Sequence, residues 1–408
     1  MSESWRVERP VVGIAGAGPA GMMAALQAAQ AGARVLLFEG NPGVGRKLAV
    51  TGSGRCNITN SRIDPERYAC DAPGFMARVL AAFGHADLVA FLAGMAVPVV
   101  ALEDGWCYPR SGSAAAVVEA FAIALELAGI ELHCSEKVRN FAPRSEGWVL
   151  QAGGEYRLDR LIVAAGGAAQ PNLGSRGELF APLGRLGHTR RPDRPALAPV
   201  AADMRRLHKL QGVRMDIGLQ LCHRSDVLAE SAGNAIFTQW GLNGPAAMDL
   251  SHLISARPGA ALELLVHFMP GAEALLEAQL RAFAGTPWPL TAVLSGLLPP
   301  KVARFLVQSA GLAAGLRMHE FTAAAHTALW RQATQTRLEV QGTRDLHFAQ
   351  VSAGGVPAVE VVAETMASRK AGGLFLAGEV LDVVGPCGGY NLQFAFSSGA
   401  LAGRAAAV

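Results

Sequence analysis

The chain has 408 residues, 51% hydrophobic and 17% charged, enough to bury two or three cores, and its 47 glycines and 22 prolines fall short of a low-complexity composition. The 36 Lys and Arg against 33 Asp and Glu leave a formal charge of +3, which supplies no electrostatic footprint for nucleic acid or an anionic membrane. Six scattered cysteines, with no CxxC and no Cys/His cluster at zinc spacing, argue against a disulfide scaffold or a metal site.

Met1 to Pro10 contain no apolar signal-peptide core, and the longest charge-free stretch, Ala282 to Pro300, is broken by Pro287, Pro289, Pro299 and Pro300. A cytoplasmic protein with reduced thiols is expected. Val11 to Ala15 reads as a buried strand running into Gly16-Ala17-Gly18-Pro19-Ala20-Gly21 and an alanine-rich helix over about Ala20 to Ala31. A second strand, Arg34 to Phe38, ends at Glu39, 23 residues after Gly16. Gly16 permits the tight turn, Gly18 lets backbone approach a pyrophosphate, and Gly21 allows helix and strand to pack closely. Glu39 is placed to accept hydrogen bonds from a ribose diol. The plain alternative is an ordinary glycine-rich turn, but strand, turn, helix, strand and acid all fall in the order a dinucleotide needs.

The loop Thr51 to Asn60 combines Gly52 and Gly54 with Arg55, Cys56 and Asn57. Trp106, Tyr108, Arg110 and Ser111 precede a helical stretch, Ala114 to Leu127, with Ser111 as its expected N-cap. Val138, on a following strand, suits a backbone contact to adenine. Leu158 to Gly167 reads as a further strand ending in Ala165, Gly166 and Gly167, small enough to pass close to a cofactor. Arg190, Arg191, Arg194, Arg205, Arg206 and Lys209 form basic stretches without interleaved aromatics, better read as a solvated face than as an RNA site. Leu219 to Leu221 and Leu262 to Phe268 read as strands, and Ala272 to Ala284 and Pro300 to Ala310 carry helical spacing. His319 and His326 share a helix face without an acid partner.

Gly373 to Glu379 is an apolar strand that stops at a Gly-acid pair, Gly378-Glu379. A glycine-rich turn, Pro386 to Gly389, then leads into a helix over about Tyr390 to Ala405. Such an acid suits a ribityl chain, and a helix start stabilises the negative charge of a reduced flavin. The two chain ends together suggest one FAD site; the alternative is an NAD-dependent dehydrogenase in which the C-terminal strand is structural.

Arg46-Lys47-Leu48, Thr51 through Asn60, Gly378-Glu379-Val380-Leu381-Asp382 and Gly388-Gly389-Tyr390-Asn391-Leu392-Gln393 resemble the BaiN/YhiN-type flavoproteins of the glutathione-reductase-like FAD superfamily. Tyr108-Pro109, Arg194 to Leu197, Phe237-Thr238, Gly241 to Ala246 and Ala353 to Val356 are weaker matches in family order along nearly the whole chain. The resemblance implies an α/β fold: a two-part Rossmann-like FAD-binding domain, residues 1–188 and 351–408, with an inserted β-rich domain, 189–350, carrying a small helical subdomain at about 271–331. It implies non-covalent FAD held by Gly16, Gly18, Pro19, Ala20, Gly21, Glu39, Gly40, Arg46, Lys47, Thr51, Gly52, Gly54, Arg55, Cys56 and Asn57. Val138, Ala165, Gly166, Gly167, Gly378, Glu379, Gly388, Gly389, Tyr390, Asn391 and Leu392 complete the set. Members reduce conjugated oxo-steroid intermediates or oxidise aminoacetone, so the likeness fixes cofactor better than substrate.

Relative to the family pattern, Val384 replaces Asp, Cys387 Thr, Phe394 Trp and Gln239 a common His; a proton-transfer role for that His does not carry over to Gln239. The catalytic candidates are Arg55, Asn57, Tyr108, Trp240 and Tyr390. Arg55 either steadies an anionic flavin or acidic substrate, or ties its loop to the body. Asn57 and Asn391 serve as flavin contacts or turn residues, and Cys56 and Cys387 as buried fillers rather than a redox pair. The expected activity is hydride transfer between a small or medium organic molecule and flavin N5, with the ring at the junction of the FAD and inserted domains. No second GxGxxG unit occurs in residues 189–350, leaving oxygen, or NAD(P)H visiting the substrate cavity transiently, as redox partner. Nucleic acid and membrane partners are not expected; a tRNA-modifying flavoprotein and a non-catalytic flavin module are the competing classes.

Overall fold

The computed structural model describes residues 9–224 and 226–408. They divide into two compact units, one running to Arg194 and resuming at Gln350, the other comprising Pro195–Ala349.

The first unit is built on a five-stranded parallel sheet in the order Leu374–Leu376, Arg160–Val163, Val11–Ala15 (β1), Arg34–Glu39 (β2), Glu131–Cys134. These are short apolar runs because helices cover the sheet and bury it. Ala15 lies in register with Phe38 on one side and Val163 on the other, Val163 with Leu376, and Glu39 with Cys134. The strands therefore stop together, and Gly16, Glu39, Ala164 and Ala377 emerge along one carboxyl edge, where such sheets bind ligands.

Helix α1, Pro19–Gln30, has Pro19 in its first turn and no charged residue in its length. Its partner is the last helix, Tyr390–Ala406. A Cβ added at Gly399 would stand 2.2 Å from the Ala20 carbonyl oxygen, and one at Gly403 2.3 Å from that of Ala24. Glycine alone lets the two backbones lie that close. Arg404 Nε donates to Gln27 Oε1 at 2.6 Å at the far end of the crossing.

Two smaller sheets flank this unit: the meander Asn140–Pro143, Trp148–Gln151, Glu155–Leu158, and the ladder Thr59–Asn60, Trp106–Pro109, Val99–Ala101. The run Phe75–Gly94 is long and apolar enough to cross a membrane by length and composition. It forms two helices, Phe75–Ala82 and His85–Gly94, broken at Phe83 and Gly84, and sends Phe75, Val79, Leu88 and Leu92 into the core.

Two local expectations are corrected. The helix Ala114–Leu127 is capped by Ser113, whose Oγ accepts from Ala116 N–H, while Ser111 accepts from Ser113 N–H one turn earlier. Val138 is not on a strand: Glu131–Cys134 ends where Ser135 takes φ +61°, and Val138 sits buried in the following loop.

The second unit is a closed antiparallel barrel of Val200–Ala202, Gly241–Asn243, Asp226–Phe237, Arg214–His223, Leu262–His267 and Thr336–Thr343. Strict alternation of buried and outward residues in Leu262–His267 is the signature of a strand with one face in a core. Helices Glu273–Ala282, Leu290–Ser295, Pro300–Ser309 and Ala323–Gln335 fall between its last two strands. Phe237 stacks on Phe268 in its interior, and Phe305 packs against Phe268 at a tilt. The expected fold class, a Rossmann-type domain drawn from both chain ends with a separate β-rich domain, is present.

Gly403→Ala places a methyl against the Ala24 carbonyl and is expected to lower unfolding free energy by about 1–3 kcal/mol, read by chemical denaturation.

Candidate functional site

The site begins where β1 turns. Gly16 has φ +102°, and a Cβ there would meet the Ala164 carbonyl oxygen at 2.6 Å; its N–H donates to Phe38 O at 2.8 Å. A Cβ at Gly21 would lie 1.8 Å from Gly16 O, so the turn closes only with glycine at both places. Gly18 is the opposite case: nothing lies within 4 Å of an added Cβ. The start of α1 is therefore open at Gly18 and partly exposed at Pro19, while Ala20 and Gly21 behind it are buried.

At the end of β2, Glu39 Oε2 accepts from Ala17 N–H at 3.0 Å, while Oε1 accepts from the backbone and side-chain N–H groups of Asn41 at 2.9 and 2.7 Å. Arg46 Nη1 donates to Asn41 Oδ1 at 2.9 Å. A carboxylate has about four acceptor positions, so these three donors leave Glu39 one acceptor position. Gly40 is closed in by Lys137, 3.2 Å from an added Cβ.

The C-terminal acid is held in the same way. Glu379 Oε2 accepts from Lys47 Nζ at 2.7 Å, and Oε1 accepts from Ser352 N–H and Oγ–H, both at 2.9 Å. Ser352 Oγ also accepts from Ala168 N–H at 3.0 Å, and a Cβ on Gly167 would strike it at 2.0 Å. Ala165 and Gly167 are bound through their carbonyls by Ser175 Oγ, which also faces Gly166. Gly378 N–H donates to Ser398 Oγ at 2.9 Å, fastening the acid turn to the last helix. Two distant stretches of chain, at Lys47 and Ser352, therefore converge on one carboxylate. Asn41 and Ser352 were not foreseen; the signals available were an Asn two residues after the strand-ending acid and a Ser directly before Ala353-Gly354-Gly355-Val356.

The Thr51–Asn57 loop carries left-handed backbone at Gly52, Ser53, Gly54 and Cys56. Thr51 Oγ1 donates to Leu48 O at 2.7 Å. Cys56 is fully buried; burial pushes its thiol up to about 11, against a smaller opposing effect of the hydrogen bond with Thr51. None of the six cysteines is in a disulfide. Asn57 is buried with its amide NH₂ facing the carbonyls of Cys107 and Thr59 at 3.2 Å, so it holds the loop to the neighbouring strands. Arg55 is exposed, its guanidinium 4.5 Å from the centroid of the Tyr108 ring.

The turn before the last helix is fixed by contacts rather than by sequence alone. Gly389 has φ +92°, and a Cβ there would meet Thr59 O at 2.2 Å; Asn60 Nδ2 donates to Gly388 O at 3.0 Å. Asn391 accepts from Gly385 N–H and donates to Gly385 O, at 2.9 and 2.8 Å, so its amide is spent on the turn; Leu392 beside it is partly buried. Tyr390, expected as a catalytic candidate, is fully buried. Its hydroxyl donates to Arg62 O at 3.2 Å and accepts from Arg67 Nη1 at 3.3 Å, so it anchors the helix start. Trp240 belongs to the barrel unit, partly buried, with the Arg344 guanidinium 5.1 Å from its ring centroid. In the basic stretches, Arg190 pairs with Asp193, Arg191 with Asp71 and Asp382, and Arg205 with Asp203.

The family model described as HI0933-like protein Rossmann domain matches residues 10–405. The chain belongs to the HI0933-like family. It is 35% identical over 407 residues to the 3-dehydro-bile acid delta(4,6)-reductase of Clostridium scindens, covering 97% of this chain and 98% of that one. It is 30% identical over 394 residues to the ribosomal RNA dihydrouridine synthase of Escherichia coli, covering 94% and 95%. Among solved structures, 3-ketosteroid delta1-dehydrogenase from Sterolibacterium denitrificans superposes with a TM-score of 0.52 at 12% identity, over 98% of this chain and 99% of that one, a likeness of fold. With the open backbone at Gly18 and an anchored acid from each end of the chain, this HI0933-like protein is an FAD-dependent oxidoreductase.

Two outcomes follow from the site. Lys47→Met removes the cation from a three-quarters-buried pair and is expected to weaken FAD binding about tenfold, ~1.4 kcal/mol, measured by flavin fluorescence titration. With its thiol pushed up to about 11, Cys56 is ~0.1% thiolate at pH 8. Iodoacetamide labelling followed by peptide mass spectrometry is expected to mark Cys56 roughly a hundredfold more slowly than a free thiol.

Proposed function

We propose that the protein reduces a carbon–carbon double bond conjugated to a carbonyl group in a small or medium-sized organic molecule. The observation that carries this reading is the full-length similarity to the Clostridium scindens reductase. That relative's name describes a 3-oxo group conjugated with double bonds at positions 4 and 6. Making dihydrouridine from uridine likewise saturates an alkene conjugated to a carbonyl, so the two relatives differ in substrate and agree in the bond they reduce.

When bound, FAD supplies the redox chemistry, passing two electrons as hydride from N5 and taking them back from NAD(P)H. The remaining work belongs to the chain. Gly18 and the first turn of α1 would hold the pyrophosphate by backbone N–H groups, Glu39 the adenosine ribose, and Glu379, fixed by Lys47 and Ser352, the ribityl chain. The Thr51–Asn57 loop would line one face of the ring, where Gly52 and Gly54 would admit close approach. The last helix, starting at Tyr390, would hold the ring end of FAD near its positive N-terminal end.

A second substrate class, a uracil in ribosomal RNA, is favoured by the Escherichia coli relative; the bond reduced would be of the same kind. One experiment separates them. The purified holoprotein is reduced anaerobically with NADH or NADPH and then mixed with 2-cyclohexenone, a steroid 4,6-dien-3-one, or ribosomal RNA lacking dihydrouridine. Reoxidation by an enone at least about tenfold above the unmixed rate is the expected outcome. Reoxidation by RNA alone moves the assignment to the nucleotide. Response to neither, with turnover of amines and oxygen instead, overturns alkene reduction.

A further inference from the structure

Alkene reduction needs a proton as well as hydride, and the flavin-proximal segment offers few groups able to give one. Thr51 spends its hydroxyl on Leu48 O, Cys56 is fully buried, and Asn57 faces two backbone carbonyls. The tyrosines are more telling. Four occur in the chain. Tyr68 donates to Tyr390 O, Tyr156 to Glu136 and Tyr390 to Arg62 O. Tyr108 is 8% exposed, and among the described residues its hydroxyl has no protein hydrogen-bond partner and opens to the surface.

Its placement is determined by backbone. Tyr108 sits on Trp106–Pro109, between Thr59–Asn60 and Val99–Ala101, in register with Val100. A Cβ on Gly52 would come within 3.8 Å of Tyr108 Cε1, so the ring packs directly against the glycine turn of the Thr51–Asn57 loop. Arg55, from the same loop, lies over the ring.

We propose that Tyr108 is the proton donor of the alkene reduction, giving its phenolic proton to the substrate carbon α to the carbonyl, with Arg55 as the positioning residue that steadies the tyrosinate left behind. This rests on the alkene-reductase reading and on the loop lining the flavin. Hydride from the reduced flavin, recharged by NAD(P)H, forms the C–H bond at the β-carbon while the π electrons move to the carbonyl. The Tyr108 O–H bond breaks, its proton forms the C–H bond at the α-carbon, and water returns a proton to the phenolate. The charged groups facing Tyr108 are Arg55 and Asp104. Burial raises its ionisation above the usual tyrosine range, Arg55 opposes that, and Asp104 adds to it, so the group is protonated at neutral pH as a donor must be.

The test uses holoprotein reduced anaerobically with dithionite and mixed with 2-cyclohexenone or a steroid 4,6-dien-3-one. Tyr108→Phe is expected to slow enone-driven reoxidation about 100-fold, with enone binding, read from the oxidised flavin spectrum, within about threefold. Arg55→Gln, a surface change, is expected to raise the pH of the tyrosinate ultraviolet signal that Tyr108→Phe abolishes, and Arg55→Lys to restore it in part. A Tyr108→Phe rate within about threefold of wild type overturns the proposal. Tyrosinate ionisation indifferent to Arg55 removes Arg55 from it. Wild-type protein that no enone reoxidises sinks the reductase reading itself, a distinct result.

Discussion

The backbone-to-backbone contact between α1 and the last helix is the constraint on which the cofactor site depends. Gly399 and Gly403 stand against the carbonyl oxygens of Ala20 and Ala24, and any side chain there would push the helices apart. The candidate site draws on both ends of the chain, the glycine turn at Gly16 and the anchored acid at Glu379. Close packing of these helices makes the two ends one surface. Ser398, one residue before Gly399, accepts from Gly378 N–H, so the helix that seats on α1 also carries the acid turn to its place.

Each acid at the cradle is held before any ligand is considered. Glu39 is gripped by Ala17 and Asn41 within one stretch of chain, a local arrangement, whereas Glu379 is gripped by Lys47 and Ser352, a long-range one. Charge-assisted hydrogen bonds of this kind are about twice as strong as neutral ones, and they orient a carboxylate rather than merely neutralise it. An oriented acceptor costs a ligand hydroxyl less to engage than a freely rotating one.

The relatives' names point to molecules as different as a bile acid and a ribosomal RNA. In flavoproteins the electron chemistry belongs to the coenzyme, and the protein contributes placement and proton supply. The barrel unit is a second folding unit with its own apolar core, Phe237 stacked on Phe268.

Much of this was legible in the residues themselves. Gly16, Gly18, Gly21 and Glu39 act within one strand–turn–helix–strand unit, where spacing alone dictates geometry, and the alternation of Leu262–His267 declares a barrel strand. The Lys47–Glu379 pair, the Ser352 bridge and the buried, engaged hydroxyl of Tyr390 were not legible, because each joins residues far apart in the chain. The same holds for Val138, which a left-handed Ser135 takes out of its strand, and for Asn57 and Asn391, whose amides the folded backbone consumes. Sequence by itself determined the local turns, the parallel-sheet pattern and the kind of coenzyme, since these follow from steric rules acting over a few residues. Only the tertiary structure decided which polar side chains are spent on holding the fold and which, like the Tyr108 hydroxyl, are left over, since a hydrogen bond depends on which atoms folding brings within about 3 Å.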